Sequence, residues 1–172
     1  MKKIILTLFI CFGTSLAYAQ QPSQNGQCPV DNPLFTKEIA NTLGTQWNNS
    51  LKAGIAANVV KTNYAPHAIL LPTKSDEIRT DNQQIQEYFV NFLALKPSVI
   101  KWYNTQIYAD CGVGVANGDY DFSVTARGKK DTVKARYTFA YEYLANPGDG
   151  RKPGWYIITH HSSAQPVTHL AI

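Results

Sequence analysis

Near its C-terminal end the chain reads "WYIITHHSSAQPV", Trp155 to Val167, and the residues best suited to chemistry stand there: His160, His161, Ser162 and Ser163. Two adjacent imidazoles followed by two hydroxyls could ligate a metal, work as an acid–base pair, or form the polar end of a buried strand. Side chains alternate faces along a strand, so His160 and His161 point to opposite sides and cannot chelate one ion. His67 and His169 fall on other elements, and neither Cys-x-x-Cys nor His-x-x-x-His spacing occurs. No metal site and no cofactor is therefore expected. One histidine of the pair should face the interior and the other the outside. The other candidate acid–base groups are Asp119 and Asp121, which flank Tyr120. Alternation sets them opposite the aromatics, although the turn or bulge signal Asn117-Gly118 could reverse this locally.

Aromatic residues suggest where a ligand would go. Trp47, Tyr64, Trp102, Tyr120, Tyr137, Phe139 and Tyr141, with His161, are the expected lining of an interior pocket. Such a pocket suits a small, flat, apolar or aromatic ligand with one or two polar groups. The competing reading is that these rings simply fill the core.

The elements that must position these residues follow from periodicity. Asp31-Asn32-Pro33 reads as a helix start, and Leu34, Phe35, Ile39, Leu43, Trp47 and Leu51 recur at helical spacing. Gly54 ends or bends that helix, and residues 56–63 form a second short one. Pro66 and Pro72 bracket a brief strand over 68–71. Thr80-Asp81 opens a helix bearing Ile85, Tyr88, Phe89, Phe92 and Leu93, and Pro97 stops it. From Val99 onward the chain reads as strands: 99–109, 113–127 around Asn117-Gly118, 132–144 and 155–161. Helices followed by consecutive strands imply an α+β fold.

Composition bounds the rest. Lys2 and Lys3, the apolar run Ile4 to Phe12 and Ala17-Tyr18-Ala19 have the form of a bacterial secretory signal peptide over residues 1–19. The competing reading is a retained anchor. Removing 19 of the 172 residues leaves 153, enough for a single domain with a real core. Cleavage takes two of the 16 basic residues and leaves 14 against 12 acidic ones, a charge of +2. Such a balance makes no case for nucleic acid or, once the signal is removed, for a membrane. Residues 20–32, polar and rich in Gln and Ser, read as a flexible leader, and 33–172 as the domain. The two cysteines beyond the signal, Cys28 and Cys111, are expected to pair in an oxidising, periplasmic or secreted location. Two buried free thiols are the alternative.

The order of these elements, with "VVKTNYAPHAILLPT" after the Trp47 helix and "GWYIITHHSSAQP" in the last strand, resembles the nuclear transport factor two-like superfamily. This is the cone-shaped fold of SnoaL-like proteins and ketosteroid isomerases. Within it the chain is most similar to the calcium/calmodulin-dependent protein kinase II association (hub) domain and its exported bacterial relatives, over about Pro33 to Val167. Trp155, His161 and Ser163 match the hub's final strand. Ser162 stands where the animal hub has an arginine, and Phe139 precedes Tyr141 where the hub has another. The resemblance implies helices packed on a strongly curved, mostly antiparallel sheet, and a homodimer or small oligomer built on the sheet's convex face near Lys134, Arg136, Thr138 and Glu142. It implies an exported small-molecule-binding or self-association module. The competing function is a ketosteroid-isomerase-like or dehydratase-like enzyme, with His161, Asp121 and Tyr64 as its catalytic candidates.

Overall fold

The first helix begins later than its sequence suggests, and the delay shows what ties the N-terminal segment down. The computed structural model describes residues 28–166. The expected signal peptide, residues 20–27 of the expected leader, and His169 lie outside the described residues. Helix α1 (Lys37–Ala53) is capped by Thr36, whose hydroxyl accepts from the Ile39 N–H at 3.3 Å. The Asp31-Asn32-Pro33 start is thus displaced. Leu34 pairs with Cys111 instead, the Phe35 N–H donates to the Asp110 carbonyl, and the Gly112 N–H donates to the Pro33 carbonyl. A disulfide joins Cys28 to Cys111 and fastens the same segment. Tertiary pairing has overridden the local capping signal here.

Gly54 ends α1 with φ of 75°, a left-handed conformation that favours glycine. There follow α2 (Ala56–Asn63), β1 (Tyr64–Leu71), α3 (Asn82–Leu93), β2 (Ser98–Ala109), β3 (Val113–Ala126), β4 (Lys129–Leu144) and β5 (Gly154–Ala164). The five strands form one curved, unclosed sheet in the order β1-β5-β4-β3-β2. Only the β1–β5 pair is parallel. The architecture is α+β, as the sequence implies. Strand β1 starts at Tyr64, four residues before the expected strand, and carries Pro66 inside it. An edge strand tolerates a proline because one side of its backbone needs no ladder partner.

The bulge signal at Asn117-Gly118 is answered across the ladder. β3 runs through without interruption, and the irregularity falls on β2, between Tyr103 and Gln106, where Asn104 takes φ of 55°. Glycine is needed at 118 because a Cβ there would approach the Tyr137 hydroxyl to 2.8 Å. The basic stretch around Arg127-Gly128 forms the exposed β3–β4 hairpin tip, both residues having positive φ.

Helices and sheet enclose a core of Phe35, Trp47, Leu51, Tyr64, Phe89, Tyr120, Phe139 and Tyr141. Asn48 docks α1 on β2: its amide donates to the Val99 carbonyl at 3.0 Å and accepts from the Val99 N–H at 2.8 Å. Phe35 stacks on Tyr141 at 5.3 Å and meets Trp155 edge-on at 5.0 Å. It fits because residue 114 is glycine, where a Cβ would lie 2.0 Å from the Phe35 ring. The disulfide, spanning 83 residues of sequence, therefore fastens a segment that also contributes to the core. Cys28→Ser is expected to lower the unfolding free energy by about 2–4 kcal/mol, read from urea denaturation. An unchanged midpoint would show that the crosslink is energetically idle.

Candidate functional site

Which histidine faces inward is settled by one irregularity in β5. Tyr141 of β4 pairs with Ile157, but its neighbour Ala140 pairs with Thr159. Ile158 is the extra residue of a bulge, which shifts the alternation by one. Tyr141 and Ile157 both face inward, and beyond the bulge the inward positions are His160, opposite Phe139, and Ser162, opposite Tyr137. His160 is 3 % exposed. His161, named from the sequence as the interior candidate, lies on the outer face beside Thr138 and Leu71. Counting inward positions from Ile157 without the bulge would have chosen His161, which is why the sequence alone could not identify the residue.

His160 completes a buried polar chain through three elements. The Trp47 indole on α1 donates to the Tyr64 hydroxyl on β1 at 3.2 Å, and that hydroxyl is 2.8 Å from His160 Nδ1 on β5. The other imidazole nitrogen, Nε2, is buried without a partner among the described residues. Burial pushes the His160 pKa down to about 3, with the adjacent His161 adding to the effect, so the ring is neutral at ordinary pH. Burial likewise raises the Tyr64, Tyr120 and Tyr141 phenols. At neutral pH these interior groups carry no charge.

A second polar group adjoins the first. Ser162 Oγ contacts both the Tyr120 hydroxyl and the Thr73 hydroxyl. Thr73 belongs to the segment leading from β1 toward α3. Thr105 and Tyr137 pair at 2.8 Å further along the sheet.

All the expected aromatics lie on the concave side, but they pack on one another. Trp47 meets Phe139 at 5.3 Å, and Trp102, half-buried, stacks on Tyr120 at 5.4 Å. The cone interior is therefore not one open chamber. A narrow recess of about 30 Å³ runs past His160, Ser162, Tyr120 and Phe89 toward Lys74. A wider one of about 190 Å³ lies between α1 and the sheet, lined by Gly44, Trp102, Tyr137, Phe139 and Tyr141. The carboxylates are outside both. Asp121 accepts from the Tyr103 hydroxyl at 2.9 Å, and Asp119 accepts from Asn104 and Gln165. Of the enzyme candidates, then, Tyr64 is interior while His161 and Asp121 are on the opposite face. The sequence singled out His160 and Ser162 without fixing which side of the strand they occupy, and it did not mark Thr73 or Lys74. The phase of β5 and the return of the 72–79 segment over the recess are both set by tertiary pairing, including the Leu70–Arg79 bridge. Among the described residues no cluster of three His, Cys, Asp or Glu side chains could hold a metal.

A curved, unclosed sheet with helices in its concavity and a polar group at the deep end defines a nuclear transport factor 2-like, cystatin-like α+β protein. Such a protein from Salmonella enterica serovar Typhimurium is 16 % identical, with a TM-score of 0.64 over 78 % of this chain and 94 % of that one. Another, from Novosphingobium aromaticivorans, is 8 % identical, with a TM-score of 0.59 over 78 % and 83 %. Both share the fold. Residues 36–166 match the calcium/calmodulin dependent protein kinase II association domain model, and the chain belongs to that family. A solved association-domain protein from Xanthomonas campestris is 40 % identical, with a TM-score of 0.65 over 74 % of this chain and 86 % of that one. No curated protein matches significantly.

Two measurements test the buried chain. Tyr64→Phe strands the Trp47 N–H and His160 Nδ1 together, and should cost at least about 1–3 kcal/mol in denaturant unfolding. His160 also makes stability depend on pH. Its pKa falls from 6.5 in the unfolded chain to about 3 in the fold, so below about pH 6 the unfolded state binds the proton and the folded state does not. Stability is fully present above pH 6.5 and falls on acidification, at a slope approaching about 1.4 kcal/mol per pH unit between the two values. His160→Phe should remove that contribution, and an unchanged pH profile in the variant would contradict the assignment.

Proposed function

We propose that this protein is an exported association module that pairs with a second copy of itself through the outer face of the sheet, and whose interior admits a small ligand. The outer face carries the reading. Cross-strand registers place Ile69, Thr159, Ala140, Val115 and Tyr108 in one row across all five strands. Leu71, Tyr108 and Val113 are 38 %, 61 % and 42 % exposed. An apolar band of this kind on a sheet surface is a common form of interface core.

Beside the band lie opposite charges in register: Asp119 faces Arg136, and Asp121 lies between Lys134 and Lys101. A face bearing both signs can complement a two-fold copy of itself. The name of the family, an association domain, agrees with that partner. Export is supported by the Cys28–Cys111 disulfide, since such bonds persist in oxidising compartments. Ligand binding is supported by the unpaired Nε2 of His160 at the recess.

Sedimentation velocity of the chain from residue 20 onward at micromolar concentration should show a dimer or a small multiple of it. Val115→Arg, on the outward row, should weaken assembly by at least ~10-fold while leaving the thermal unfolding of the subunit in place. A wild-type protein that sediments as a monomer would remove this reading.

A further inference from the structure

The direction of the buried hydrogen-bond chain follows from its first member. An indole nitrogen can only donate, so the Tyr64 oxygen accepts from Trp47. The phenol proton then has one neighbouring acceptor, His160 Nδ1 at 2.8 Å. A neutral imidazole accepting at Nδ1 carries its proton at Nε2. The partnerless atom in the recess is therefore an N–H donor.

The neighbouring hydroxyls add to the same imbalance. Tyr120, Ser162 and Thr73 bring three protons to two mutual contacts, and so one proton is left for another acceptor. Among the described residues no carboxylate lines the recess itself, Asp76, Glu77 and Glu87 standing in the wider groove outside it, and its one cationic side chain, Lys74, is exposed at the rim. A cation would find no counter-charge in the recess and would be repelled by Lys74 at its rim. A carboxylate at His160 would lose its hydration without gaining a buried cation.

We infer that the recess takes the carbonyl oxygen of a small uncharged molecule, which accepts from His160 Nε2–H. This rests on the ligand-binding part of the proposed function and gives it a chemical class. At about 30 Å³ the recess admits a polar end and not a ring. Past Lys74, Tyr88 and Phe92, which line both spaces, lies a wider groove beneath residues 74–79. The ligand's apolar body belongs against those rings.

The test uses the chain from residue 20 onward, with benzamide as the uncharged carbonyl probe, benzoate as the anion and toluene as the body without an acceptor. Long-range proton–nitrogen NMR of the free protein should show the His160 proton on Nε2, and benzamide should shift that resonance. Benzamide should bind at least ~10-fold more tightly than either of the others, and His160→Phe should bring it down to the level of toluene. A proton on Nδ1 overturns the inference even if the variant fails to fold. So does benzoate or toluene binding as tightly as benzamide, although ligand binding itself would then stand. If none of the three binds, ligand binding and the inference fall together, while sedimentation still decides self-association.

Discussion

An indole N–H has no lone pair in the ring plane to offer, so the hydrogen bond from Trp47 to Tyr64 runs one way only. That constraint orders the polar interior. It directs the Tyr64 hydroxyl toward β5, sets the tautomer of His160, and holds α1, β1 and β5 in mutual register at the deep end of the cone. A polar chain inside an aromatic core is stable only when its members are matched, because each unpaired group bears its desolvation cost in full. Here the matching is complete at every link except the last. The open end, buried at His160, faces the recess that runs toward Lys74.

Around this chain the rings leave little slack. Trp47 is edge-on to Phe122, Phe139 and His160, and Trp102 lies flat on Tyr120. Phe35 enters over Gly114 and closes the other end, held by a segment that the disulfide fastens to the sheet. Offset and edge-on contacts of this kind contribute beyond their buried area. They also explain why the expected single chamber is divided into two recesses. The glycines at 44, 114 and 118 lie where ring or hydroxyl atoms come closest.

The sheet thus separates two roles by face. Its concave side holds neutral hydrogen-bonding groups among aromatics. Its convex side holds the carboxylates, the lysines and the apolar row. Among the described residues no buried cation lines the recess. Its buried polar atoms are one imidazole and a group of hydroxyls.

The α+β class was legible in the sequence because its cues are local: helical spacing through Trp47 and Ile85, alternation through Tyr137, Phe139 and Tyr141, and prolines and glycines at element ends. The inward set Trp47, Tyr64, Tyr120, Tyr137, Phe139 and Tyr141 follows from the same periodicities, and the expected pairing of Cys28 with Cys111 is present. Three features needed the tertiary structure. The start of α1 was decided by a strand-like contact to Cys111, far along the chain. The closure of the cone was decided by how rings from α1, α3 and the sheet interlock. The choice of His160 over His161 was decided by one extra residue, Ile158. A bulge reverses every side chain beyond it, and its position depends on the partner strand, which no window of local sequence contains.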